Sequence, residues 1–421
     1  MTYEAAFLDR CRQALSADYF LLIQRAVQTL RDNTVVPTDV EDGKRWWAKY
    51  GPKMTKWMRP AEQFGDPMPW HPRKGIYSTP LVYRGIWNWD AAFHAIGAAW
   101  FDPELGRDQV RIMLDFQMPN GALPDVIYEN GKVSGEKGKP PVMPWAATIV
   151  DRLAPDDAFM RDNYDKFVKY EAHWRLNRGL AEEGLLHYDT ESPDPALRDK
   201  LSRYESGWDN SVRWDKMAYR LWAIDLNCYM VTAYRALAYM AERAGRHGDI
   251  PRWQAAEAEL TKQINDRLWN ESAGTYADRF RDDGTFSDVL TPASFMPLYT
   301  RIAPPERAAK MAALAADPTK FHPGMPSVAY DNPEYRSDFY WRGPTWLNLA
   351  YFALKGLKFY GYDDLADAGR KLILSWGLSN EDYIWELYDS RTGKGVRSPR
   401  FGWSAVFTMM FILMWSKDDA F

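Results

Sequence analysis

A basic excess is missing from this chain: 53 Lys+Arg face 57 Asp+Glu over 421 residues, giving a formal charge of −4. Without surplus cations to neutralise a phosphate backbone, nucleic-acid binding is excluded as the main activity. Cysteine is nearly absent. The two residues, Cys11 and Cys228, sit in helical patterns with no metal-ligand or redox spacing and read as reduced core thiols. No His/Cys/carboxylate cluster has zinc spacing, and His94, which shares a helix face with Asp90, reads as a core or pocket histidine. Asp278, Asp282, Asp283 and Gly284 lack the remaining ligands of a calcium loop and read as a surface turn. No Gly-rich phosphate loop or G-x-S-x-G elbow occurs. Neither a metal nor a cofactor is therefore expected. Long apolar runs are also lacking: the most apolar stretch, 403–415, is too short to span a bilayer. Residues Met1 to Arg10 have neither the basic nor the apolar region of a signal peptide. The expectation is a cytoplasmic protein with no membrane and no nucleic-acid partner. Nothing in the sequence specifies an oligomeric state.

Aromatic residues, by contrast, are abundant. Trp 20, Tyr 24 and Phe 19 make up 15% of the chain, a composition that folds rather than staying disordered. Apolar residues recur at helical spacing over 4–32, 89–101, 106–118, 143–153, 157–177, 216–242, 251–269, 292–300, 305–315, 344–360, 363–377 and 402–415, while strand-like alternation is rare. In 216–242 the stripe is Leu221, Ile224, Cys228, Val231, Tyr234 and Ala238. With no separating linker, residues 1–421 are expected to form one all-α domain. Short connections alternate with long ones at 34–88, 119–142, 178–215, 270–291, 316–343 and 378–401. Long loops in a compact domain are usually functional. Six of them alternating with helix pairs fit a closed ring of helical hairpins with its long loops gathered at one end. Segment 34–80, with Trp46, Trp47, Trp57 and Trp70, is expected to cover the pocket.

These loops set Trp beside carboxylates in the runs 86–90, 205–215, 340–346 and 383–389. An indole offers a flat apolar face and one N–H donor, and an ionised carboxylate offers only acceptors. Together they suit a sugar, whose C–H faces are ringed by hydroxyls. Two loop carboxylates could also supply the acid and base of glycoside hydrolysis. Arg84 and Arg213 are planar donors suited to sugar hydroxyls or to fixing a carboxylate. Asp90 is expected to accept from hydroxyls, and Trp89, Trp341 and Trp346 to form stacking walls. Asp225, a charge inside an apolar helix, reads as support for the site rather than as a catalyst.

Order and spacing then carry a resemblance. Tyr83-Arg-Gly-Ile-Trp-Asn-Trp-Asp90, Pro119-Asn-Gly121, Glu205-Ser-Gly-Trp-Asp209, Ile224-Asp-Leu-Asn227, Tyr340-Trp-Arg-Gly-Pro-Thr-Trp346 and Trp385-Glu-Leu-Tyr-Asp-Ser-Arg-Thr-Gly393 with Phe401-Gly-Trp403 resemble, in order, glycoside hydrolase family 63. That family of inverting α-glycosidases shares its clan with the family 37 trehalases, and the resemblance covers about four-fifths of the chain. It implies an (α/α)6 barrel, Asp209 as general acid and Glu386 as general base, with Tyr83, Asn120, Trp208 and Arg342 joining the residues above as sugar contacts. One departure is Lys139-Pro-Pro141 where the family usually has Gln-Pro-Pro; Lys139 would suit an anionic aglycone such as glycerate. Another is Trp385 and Leu387 flanking the glutamate. The implied activity is removal of a terminal α-linked glucose or mannose from a disaccharide or a glycosyl-glycerate. A trehalase, a non-catalytic carbohydrate-binding barrel and a sugar isomerase or epimerase stand as alternatives, since fold does not dictate function.

Overall fold

The computed structural model describes residues 2–35, 69–80, 82–380 and 383–419. Of the expected pocket-covering segment 34–80, residues 36–68 lie outside the described residues. Among the described residues the architecture is mostly helical, with only short strand ladders in the connections.

Helices fall into two kinds by composition and by how they start. One kind buries a single stripe, and several of its members begin on a side-chain acceptor. Thr2 accepts from the Ala5 N–H at 3.2 Å to open Tyr3–Ala14. Ser16 accepts from Tyr19 at 3.4 Å to open Ala17–Asp32. The single helix expected over 4–32 is thus two, because Leu15 is extended and Ser16 restarts the ladder. Asp102, Asp156 and Asp194 likewise cap Pro103–Asp115, Asp157–Asn177 and Pro195–Ser206. The last of these lies inside the expected loop 178–215, announced by its Asp-Pro start. Ile250–Arg267 buries only Trp253, Leu260 and Ile264.

The other kind is apolar all round and therefore sits inside. Asn88–Ala99 buries every residue, and Gly402–Leu413 buries all but the last. Met143–Leu153, Ile224–Arg243 and Leu347–Phe359 are similar. None of these five has a side-chain N-cap; the residue before each, Trp87, Val142, Ala223, Trp346 or Phe401, is apolar. The Asn88 helix packs on the Met143 helix, and that one on the Ile224 helix. The Leu347 helix packs on the turn Met296–Tyr299, on Asp363–Ser379 and on the Gly402 helix, which returns to the Asn88 helix. Residues 414–419 are tied in among them. The buried Lys355 ammonium donates to the Met414 and Trp415 carbonyls at 2.7 Å, and Trp145 donates to the Asp419 carbonyl at 2.8 Å. Among the described residues, no helix is long and apolar enough to cross a membrane.

The helix expected over 216–242 starts only at Ile224. Leu221–Trp222 pair instead with Arg279–Phe280, so Leu221 owes its burial to a strand. Asp278, expected in a surface turn, is buried and accepts from the Ile224 N–H at 2.9 Å. It also shares Arg213 with Asp225. The guanidinium, fully buried, donates to both Asp225 oxygens at 3.0 and 2.8 Å and to both Asp278 oxygens at 2.9 and 2.8 Å. This pairing pins the segment that follows Asp209 onto the Ile224 helix. Truncating one member of a buried ion network leaves the others uncompensated, at a cost of about 3–5 kcal/mol. Arg213→Ala should lose stability on that scale in denaturant unfolding.

Candidate active site

Five of the six expected long loops and the start of the Asn88 helix meet at one pocket. Asp90 lies in the first turn of that helix, entered from the strand Gly85–Trp87, which is held by Val126–Tyr128. Ser78 donates to Asp90 Oδ1. Burial pushes the Asp90 carboxyl up to about 7, against the pull of Ser78 and Lys139.

Asp209 follows the Pro195 helix through Gly207, whose φ of +79° and position against Trp89 leave no room for a side chain: a Cβ there would stand 2.4 Å from the ring. Trp208 points behind the pocket and stacks on Trp341 at 5.5 Å. Trp341 in turn stacks on Trp346 at 3.7 Å with planes 3° apart, and Trp346 Nε1 donates to the Tyr340 carbonyl at 2.9 Å. The Tyr340 hydroxyl donates to Asp209 Oδ2 at 3.2 Å. Asp209 keeps partial contact with solvent on the pocket side while protein packs around the rest of it. Burial raises its carboxyl, with Lys139 opposing.

Glu386 sits on the strand Trp385–Tyr388, buried to 1% exposure, at a bulge in its ladder with Gly395–Pro399. The Ser398 N–H approaches Oε2 at 3.3 Å and Arg397 Nε at 3.7 Å. Burial pushes the carboxyl up to about 7, against Arg397 and Ser398. Lys139 pairs with Asp125 Oδ1 at 3.0 Å and donates to the Tyr204 carbonyl. Burial alone would pull the ammonium down, but Asp125, Asp209 and Asp90 outweigh it and hold the pKa above the ordinary value.

Of the residues expected from the sequence, Tyr83, Trp89, Asp90, Lys139, Asp209, Trp341, Trp346 and Glu386 line this pocket. Five expected sugar contacts lie elsewhere. Arg84 is buried in an ion pair with Glu129 at 2.6 Å. Asn120 is exposed and caps the Ala122 N–H at 3.1 Å. Trp208 backs the Trp341 ring, and Arg213 is consumed by Asp225 and Asp278. Arg342 pairs with Asp215 at 2.9 Å and Glu334 at 3.0 Å, anchoring its loop. Asp225 supports the site from behind through Arg213, and His94 is buried in the core with its pKa lowered by burial to about 3. Ser78, Trp87, Gly207, Tyr340, Phe401 and Trp403 complete the lining without having been singled out. Tyr340, Phe401 and Trp403 were visible as parts of the loop motifs; Ser78 carried no signal. Size alone does not pick the site. The pocket measures about 100 Å³, whereas a cavity of about 800 Å³ near Thr2, Arg31 and Asp102 has no Trp wall.

Carboxyls and stacked indoles share one pocket on a mostly helical scaffold, a lining suited to a sugar. The comparisons with known proteins agree. The family model described as "mannosylglycerate hydrolase MGH1-like glycoside hydrolase domain" matches residues 83–404. The chain belongs to this family, of family 63 type and related to the trehalases. A mannosylglycerate hydrolase of Rubrobacter radiotolerans is 25% identical over 79% of this chain and 92% of its own length. A periplasmic trehalase of Salmonella choleraesuis is 31% identical over 78% of this chain, which spans 66% of that enzyme. The fold matches a family 63 mannosylglycerate hydrolase of Thermus thermophilus, in complex with Tris and D-glycerate, with TM-score 0.71, 20% identity, and coverage of 92% and 99% of the two chains.

The Asp90 carboxyl gives a signed stability test. Its folded pKa of about 7 lies above the unfolded value of 3.8, so its stabilising contribution is full below about pH 4 and falls as pH rises to about 7. Asp90→Asn should match the parent near pH 4 and be the more stable protein at pH 8, by roughly 2–4 kcal/mol, in unfolding curves at the two pH values.

Proposed function

We propose that this protein is an inverting α-glycosidase that removes one terminal α-linked glucose or mannose from a small substrate. Residues 1–421 form one catalytic (α/α)6 domain in this reading. Its support is the succession of buried helices from Asn88 through Met143, Ile224, Met296 and Leu347 to Gly402, each packed on the next. Such a ring leaves a pocket open at one end, which favours release of a single terminal sugar.

The observation that carries the reading is the pair Asp209 and Glu386 on two separate loops, both opening on one pocket walled by Trp89, Trp341, Trp346 and Trp403. In this reading Asp209 is the acid that gives a proton to the glycosidic oxygen, and burial raises its carboxyl in the direction an acid needs. Glu386 takes a proton from a water on the opposite ring face. Inversion requires the two carboxyls roughly 6.5–9.5 Å apart, with that water between them. Asp90 accepts from hydroxyls of the bound sugar, and the indoles cover its C–H faces.

Mannosylglycerate or its glucosyl counterpart is the preferred substrate. The family model and the Rubrobacter relative bear that activity in their names, and buried Lys139 beside Asp209 offers a cation to a glycerate carboxylate. Trehalose is the second reading, favoured by the 31% identity to a periplasmic trehalase. Incubation of the purified protein with both compounds separates them: hydrolysis of the glycosyl-glycerate and not of trehalose is expected. Asp209→Asn should cut kcat about 10²–10⁴-fold on either natural leaving group and far less on a glycosyl fluoride, which leaves without a proton. Undiminished hydrolysis by Asp209→Asn would contradict the acid assignment. Because the base must be ionised, kcat/KM should climb with pH through about 7 as Glu386 loses its proton.

A further inference from the structure

The hairpin that carries Glu386 contains a residue whose conformation its own side chain disfavours. Trp385 pairs with Pro399 and Leu387 with Val396, so the single residue Glu386 is opposed by two, Arg397 and Ser398. Arg397, the first residue of this bulge, has φ of +69°, in the left-handed region where such bulges usually place glycine. An arginine held there is strained, and strain of this kind persists where the surroundings over-determine it. The surroundings here are specific. The guanidinium lies 3.9 Å from the Tyr340 ring centroid, bonds the Tyr83 hydroxyl, and stands 3.7 Å from Glu386 Oε2.

We propose that Arg397 is a positioning residue for the base: the bulge turns its guanidinium over Tyr340 so that it faces Glu386 and holds that carboxylate aimed into the pocket. The inference rests on the reading of Glu386 as the base. The other groups facing Glu386 cannot do this. Asp90, on the Asn88 helix, repels an ionised Glu386; Tyr83 and Tyr340 remain neutral phenols; and the Ser398 N–H supplies one hydrogen bond from a peptide dipole. Arg397 is the full cation among them. Its side chain is 42% exposed, so solvent screens part of the effect.

Arg397→Gly distinguishes this role from a structural one, because glycine suits the backbone. Thermal midpoints of the parent, Arg397→Gly, Glu386→Gln and the double variant, taken at pH 5 and pH 9, need no substrate. At pH 5, with Glu386 protonated, Arg397→Gly should be at least as stable as the parent. At pH 9 it should fall below the parent by roughly 1–2 °C, and the Glu386→Gln background should abolish that pH dependence. In kinetics, the acid limb of kcat/KM should move up by about 0.5–1 pH unit, a loss of about three- to tenfold at pH 6, and Arg397→Lys should restore much of it. Equal destabilisation at both pH values, or an acid limb moved by less than about 0.2 unit, overturns the proposal. Near-parental hydrolysis by Glu386→Gln would instead remove the base reading and leave the thermal cycle to judge the Arg397–Glu386 pairing.

Discussion

Carboxyl groups set beside indole rings impose the constraint around which this pocket is built. Asp90, Asp125 and Glu386 are almost wholly buried, and Asp209 is wet only on its pocket side. Each would be costly as an isolated anion. The fold answers with local compensation: Lys139 between Asp125, Asp90 and Asp209, Arg397 and a peptide N–H at Glu386, Ser78 at Asp90, and the Tyr340 hydroxyl at Asp209. Compensation is partial. Asp90 and Glu386 both stand near 7, poised to gain or lose a proton in the neutral range. For acid–base chemistry that incompleteness is useful, since a group titrating near working pH transfers protons best.

Behind this layer, arginines do the holding. Arg84 with Glu129, Arg178 with Glu205, Arg213 with Asp225 and Asp278, and Arg342 with Asp215 and Glu334 fasten the loops on which the pocket residues ride. A planar fork that binds two carboxylates at once fixes orientation as well as distance. Arg213 lies between the rings of Trp208 and Trp214, at 4.8 and 4.3 Å, so the same guanidinium that grips the Ile224 helix also seats the indole next to Asp209.

Much of this was legible from sequence, and the limits have physical causes. Periodicity located the buried helices because they are apolar on every side, and the loop motifs brought Tyr83, Trp89, Asp90, Lys139, Asp209, Trp341, Trp346 and Glu386 to one pocket. Residue type could not say where an arginine points. Arg84, Arg213 and Arg342 carry the chemistry of sugar contacts, but their partners Glu129, Asp278 and Asp215 are set by tertiary structure rather than by adjacency. Trp208 was misplaced because neighbouring residues on a turn face opposite ways. Leu221 joined a helical stripe that a two-residue strand satisfies equally well, and the Pro195 helix is too polar to show an apolar face. Arg397 could be named from sequence as an ion-pair partner for Glu386, but its left-handed backbone had no signal, because glycine is what such a position announces.

The stereochemistry of the first-formed product tests the central claim most directly, because it depends on Asp209 and Glu386 acting from opposite faces with a water between them. Proton NMR of the sugar released from an α-linked substrate, recorded before mutarotation, should show the β-anomer. Initial release of the α-anomer would mean retention and would contradict the account.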